Sequence, residues 1–143
     1  MSRLYMAVLT AHVLVAIVGL GSIASVAVVA ATARRAGRDS TEVSAWLVPL
    51  LRYSVFSLAA MLITGFLLDL VAGGAFHDTW WFRVSALLLV ATGALHVQAR
   101  RALRKGLAKG TSGEAVLRRV ERIAYGMCAL IASITVLMEV KPF

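Results

Sequence analysis

The sequence predicts an all-α integral membrane protein, a four-helix bundle in which each helix crosses a bilayer. Three observations carry this. Hydrophobic residues make up 60% of the chain and charged residues 15%, where a soluble domain has about 45–50% apolar residues and about a quarter charged. Apolar runs long enough for a spanning helix, about 20 residues, recur four times. The basic residues gather between those runs. At 143 residues the chain suits a single domain, 1–143. A net charge of +8 would suggest nucleic acid in a soluble chain. Confined to connectors between apolar runs, it points to the lipid bilayer instead, and no nucleic-acid partner is expected. The lone Cys128 excludes an intrachain disulfide and a Cys-rich metal site, and is expected to pack as a small apolar residue.

The first helix spans about residues 4–31 and carries no charge. Ala31-Thr32-Ala33 has the look of a signal-peptide cleavage site, but the apolar run is about twice a typical h-region and Arg34-Arg35 follow it, so a retained spanning helix is expected. Gly19-Leu20-Gly21-Ser22-Ile23-Ala24 matches a nucleotide-binding fingerprint without the preceding strand that such a loop needs. Close helix packing, as in Gly21-x-x-x-Ser25, explains these small residues better. The second helix spans about 46–74 and carries Arg52 and Asp69; the third spans about 80–104, with Arg83 near its start; the fourth spans about 115–140, with Glu139 near its end. Gly106, Gly110 and Gly113 mark the turn between the last two.

Orientation follows from the connectors. Arg34, Arg35 and Arg38 lie in the first, and Arg100, Arg101, Arg104, Lys105, Lys109, Arg118, Arg119 and Arg122 in the third, against Arg3, Arg83 and Lys141 on the opposite side. The positive-inside rule puts the basic loops in the cytoplasm and both termini outside, in a multi-pass protein of the bacterial cytoplasmic (inner) membrane. Trp80 and Trp81 suit the outer aromatic belt and Trp46 the inner one.

Polar residues inside a spanning helix are costly and face the bundle interior. Spacings of three and four give one stripe per helix: His12, Val15, Gly19 and Ser22; Asp69 stacked on Gly65, with Thr64 and Ser57 near; Ser85, Leu89, Thr92 and His96; and Tyr125, Cys128, Ala132, Thr135 and Glu139. The rise per residue sorts them into two layers. His12 lies about 12 Å from the outer helix end, with Ser85, Asp69 and Glu139 in the same half; His96 lies about 20 Å or more down the third helix, near Tyr125, Arg52 and Arg122. That offset disfavours two histidines on one iron, and leaves haem held through one of them. His12, Asp69 and Glu139 supply one nitrogen and two carboxylates, a donor set for a metal such as copper. The competing expectation is an ion-paired cluster, for example Asp69 with Arg83. His77, beside Asp78 in the outer loop, reads as a solvated histidine without an orienting partner.

Three features resemble a known family. A histidine early in the first helix precedes a Gly-rich run, His12 to Gly21. Trp81-Phe82-Arg83-Val84-Ser85 opens the third helix, with His96 eleven residues after Ser85. The chain ends Val140-Lys141-Pro142-Phe143. Together these resemble the small four-helix bacterial membrane proteins that include the HemJ-type protoporphyrinogen oxidase and the copper-resistance D-type membrane domain. The oxidase family carries a lysine where this chain has Ser85, a tryptophan after the first histidine, and an Asn-Glu-x-Pro motif where this chain reads Ala124-Tyr125-Gly126-Met127. What the resemblance implies is therefore the fold, the orientation and the importance of His12 and His96, in a relative without the oxidase residues.

Three functional classes follow. One is redox-linked binding of haem b or a porphyrin through His12 or His96. Another is copper handling at His12, Asp69 and Glu139. The last is a non-catalytic accessory subunit of a larger membrane complex, or a homo-oligomer, which the small size and small-residue helix faces suggest.

Overall fold

A computed structural model describes residues 2–38, 40–109 and 113–140, without the side chains of residues 40, 41, 107 and 109. Four helices follow one another: α1 (Arg3–Arg35), α2 (Ser40–Val71), α3 (Trp80–Lys109) and α4 (Gly113–Val140). Each is long and apolar enough to cross a membrane. Ser2 caps α1, its hydroxyl accepting the Tyr5 N–H at 3.1 Å.

The helices run further than the apolar stretches that announce them, except at the end of α2, which stops at Val71 rather than near 74. α2 begins at Ser40 rather than near 46, and α3 reaches Lys109 rather than 104. A helix does not stop where the membrane does, because Arg, Lys and Glu are good helix formers in water. Gly106 is accordingly helical and not part of a turn. Its lack of a side chain serves packing: a Cβ there would sit 2.9 Å from Val116 Cγ1 and closer still to Cγ2. Gly110 lies outside the described residues.

Two helix ends close with the same backbone device. Gly37 and Gly73 adopt φ of 60° and 73°, the left-handed conformation that glycine enters without a Cβ clash. After each, the next N–H reaches back to close the helix: Arg38 to the Ala33 carbonyl at 3.0 Å, and Gly74 to the Asp69 carbonyl at 2.8 Å. The chain then passes from α1 into α2 after residues 36–39, and from α2 into α3 through the longer connection 72–79.

In the bundle α1 packs against α2 and α4, and α3 packs against α4 and more sparsely against α2; α1 and α3 lie on a diagonal and do not meet. The core is concentrated toward the basic connections. There Ile23, Val26, Ala27 and Ala30 of α1 meet Leu47 and Leu51 of α2, Ala99 and Leu103 of α3, and Leu117 and Val120 of α4. Arg34 and Glu121 join α1 to α4 at that end with a 2.6 Å ion pair. Gly19 allows a second close approach, α1 on α2, since a Cβ there would lie 3.1 Å from Ser57 Cβ. Gly21 and Ser25, the pair expected to pack, instead face outward with nothing near Gly21.

Candidate functional site

Away from the basic end the helices part around a cavity of about 490 Å³, within the size range of small-molecule sites. All four helices line it. Apolar side chains make up most of the wall, and His12 of α1, Ser85 of α3, and Thr135 and Glu139 of α4 supply polar groups.

His12 is half-buried, and its Nδ1 lies 2.7 Å from Thr64 Oγ1. Thr64 has one hydroxyl hydrogen, and the Ala60 carbonyl, at 2.7 Å, takes it in the usual back-bond of a helical threonine. The threonine oxygen is then the acceptor and His12 Nδ1–H the donor. In the neutral ring this leaves the Nε2 lone pair free. The ring rests over Gly65, where a Cβ would come 3.7 Å from His12 Cε1. An imidazole with one nitrogen tied down and the other free is the arrangement found in metal-binding histidines.

His96 is built alike but sealed in. It is 1% exposed. Ser54 donates its hydroxyl to the Leu51 carbonyl at 3.1 Å and so accepts from His96 Nδ1 at 3.2 Å. Its Nε2 is buried without a hydrogen-bond partner, and it does not line the cavity. Thr64 and Ser54 are ten residues apart on α2, so the two histidines hang about 15 Å apart along that helix. Both ligands of one iron must lie about 2 Å from it. The two rings therefore cannot share a metal, as their depths in the sequence suggested.

The three residues offered as a metal set are not brought together. Among the described residues no three His, Cys, Asp or Glu side chains are placed to hold an ion. Glu139 shares the cavity with His12, whereas Asp69 does not line it. Asp69 is 6% exposed, and its Oδ1 accepts the backbone N–H of Phe76 at 2.7 Å and of His77 at 3.1 Å. Its other oxygen meets His77 Nδ1 at 3.3 Å. It thus organises the α2–α3 connection. The expected Asp69–Arg83 pair does not form either: Arg83 reaches Asp78 at 2.9 Å and the His77 carbonyl at 2.9 Å. His77 is half in solvent, as expected, but is oriented, with Asp69 at one nitrogen and Asp78 at the other, each at 3.3 Å.

Three of the four polar stripes hold. Ser85, Thr92 and His96 are buried on α3, and His12 with Gly19, and Ser57 with Asp69, face inward on α1 and α2. The stripe drawn on α4 holds only where it meets the cavity, at Thr135 and Glu139. Tyr125, Ala132, Thr135 and Glu139 are exposed, Cys128 is half-buried, and the inward face is Ala124, Met127, Ile131 and Ile134. Thr135 satisfies its own hydroxyl on the Ile131 carbonyl at 3.0 Å. Trp81 is also buried rather than belted at the surface; it stacks near Phe76 and Phe82 and lines the cavity. The histidine anchors on α2, Thr64 and Ser54, were missed, as was the Arg34–Glu121 pair. Spacing within one helix cannot find a partner on another.

No protein-family model matches the chain, and neither the curated proteins nor the solved structures provide a match.

Proposed function

We propose that this is a multi-pass protein of the bacterial cytoplasmic membrane that binds haem b or a porphyrin in the cavity, with His12 as the residue that meets it. The observation that carries this is His12 itself: it lines an apolar cavity of ligand size, Thr64 fixes its Nδ1, and its Nε2 is left to a ligand. The donor chemistry fits, since imidazole is a common axial ligand of haem iron. A bound haem would supply one-electron chemistry, while the chain would orient His12 and keep water from the apolar walls. His96, equally oriented, is closed off from this cavity and serves the interior of the bundle. The distribution of basic residues supports termini outside and basic connections in the cytoplasm.

Purified protein, scanned for a Soret band before and after haem supplementation, tests this. The expected result is uptake by the parent and by His96→Ala, and loss of uptake in His12→Ala. A parent that takes up no haem, or a His12→Ala variant that binds it as the parent does, would refute the assignment.

A second reading, a subunit of a homo-oligomer or larger complex, draws support from the outward-facing Gly21 and Ser25, small residues that admit a neighbouring helix closely. Cross-linking in native membranes that yields only monomer would count against it.

A further inference from the structure

The cavity has two unlike sides. On one, Phe66 of α2, Phe82 and Trp81 of α3, and Phe76 of the connection between them form a chain of neighbouring rings. Their centroids lie 6.0, 6.1 and 5.7 Å apart in that order, and all four line the cavity. Phe76 is set in this wall by its backbone N–H, which Asp69 accepts at 2.7 Å. Each ring carries a negative face, to which a cation is drawn.

The other side comes from α1 and α4, which pack together across the bundle from α2 and α3. It presents the His12 lone pair and the Glu139 carboxylate. Glu139 is exposed, and among the described residues it has neither an ion-pair nor a hydrogen-bond partner. Among the described residues no lysine or arginine lines the cavity. Arg83, next in sequence to Phe82, is engaged by Asp78 and the His77 carbonyl. The lining therefore offers a carboxylate and ring faces without a cation to match them.

Depth sorts these groups. Trp81 in the first turn of α3 and Glu139 in the last turn of α4 line the cavity at the end away from the basic connections. Leu89 and Ile131 line it about two turns deeper. Charge thus sits near the helix ends, with apolar space beneath it.

We infer that the cavity binds lipophilic organic cations, the positive centre lying between the Glu139 side and the aromatic side and the apolar groups seated toward Leu89 and Ile131. Coulomb attraction to the carboxylate and the pull of the ring faces act together on such a ligand, and both gain from apolar surroundings. A volume of about 490 Å³ admits a molecule of drug size. A quaternary cation needs no hydrogen bond there, and an amine cation can also donate to His12 Nε2. The inference does not rest on the haem reading; the two ligands would contend for one space.

The test is equilibrium binding of tetraphenylphosphonium to the haem-free full-length chain in an uncharged detergent. Tetraphenylborate, of the same shape and opposite charge, is the control. A saturable site for the cation is expected, with tetraphenylborate weaker by about tenfold or more. Glu139→Gln should weaken cation binding by about five- to thirtyfold, and Glu139→Asp, which keeps the charge, should recover most of it. Trp81→Leu keeps an apolar wall without the ring and should cost about two- to thirtyfold, with Trp81→Phe costing less. Absence of a saturable site, equal affinity for the two ions, or unchanged affinity in Glu139→Gln would each overturn the inference. So would binding lost equally in Glu139→Gln and Glu139→Asp, since charge would then not be what holds the ligand. These measurements use no haem, so their failure leaves the haem reading to be decided by the His12 variants.

Discussion

Replacing Asp69 by alanine should loosen the α2–α3 connection without unwinding α2. The carboxylate accepts two backbone N–H groups, from Phe76 at 2.7 Å and from His77 at 3.1 Å. Phe76 is half-buried, so orphaning its N–H costs about 1–3 kcal/mol, and more toward the top of that range because the lost acceptor is charged. His77 is exposed, and its N–H recovers most of its bond from water, for about 1 kcal/mol at most. The sum is about 2–4 kcal/mol, which corresponds to about a 30- to 700-fold rise in the local opening equilibrium. The end of α2 is held separately, by the backbone bond from Gly74 to the Asp69 carbonyl at 2.8 Å, and that bond survives the substitution. Hydrogen exchange followed by mass spectrometry should therefore show rapid exchange confined to residues 75–79. Asp69→Asn keeps an oxygen for the shorter bond and should lose only about 1 kcal/mol. Exchange within twofold of the parent in Asp69→Ala would mean that the carboxylate does not hold this loop, and would reopen the case for Asp69 as a ligand.

Three other perturbations test separate parts of the structure. Gly106→Ala forces a Cβ onto Val116 and should destabilise the bundle by about 1–3 kcal/mol in a detergent melt, with Val116→Ala in the same chain restoring most of the loss; a neutral Gly106→Ala would show that α3 and α4 are not in close contact there. Arg34→Ala leaves Glu121, 8% exposed, without its cation, so it should lower the melting temperature more than the double variant with Glu121→Gln; equal losses would show that the pair is solvated and idle. In a Cys128→Ala background, Ala75→Cys should react with an impermeant maleimide on intact cells and Ala36→Cys only after lysis, and the opposite pattern would invert the proposed orientation.

The four helices were legible because each must hide its backbone polarity inside an apolar run. Their ends were not, because Arg34, Arg35 and Glu42 continue helices in water that hydropathy assigns to loops. The α3 stripe was legible since Ser85, Thr92 and His96 are spaced to share a face, and all three are buried. The α4 stripe held only where it meets the cavity. A hydroxyl that bonds to its own helix, as Thr92 and Thr135 both do, carries no information about which way it faces: Thr92 is buried and Thr135 is exposed. Glu121 is the converse. It sits among arginines at the start of the fourth helix, ahead of the apolar run, yet it is buried because Arg34 reaches it from α1. A single acidic residue inside a basic run is a signal that could have been used.

The two histidines show why α2 organises the site. Both rings give their Nδ1–H to a hydroxyl of this one helix, Thr64 for His12 and Ser54 for His96, and both hydroxyls are in turn fixed by donating to α2 carbonyls. Each ring is thereby given the same tautomer from the same side. What differs is packing. At the level of Ser54 the helices close: Leu47, Leu51, Ala99 and Leu103 are at most 1% exposed. At the level of Thr64 they part, and Gly65 leaves the space over which the His12 ring lies. The same chemical unit is therefore structural in one layer and available to a ligand in the other. A bulky residue at Gly65 should convert the second layer toward the first. Gly65→Leu would set a bulky side chain against the His12 ring and into the cavity beside it, so haem uptake should fall and the His12 imidazole N–H resonance should shift. Undiminished uptake in that variant would place the ligand elsewhere in the bundle.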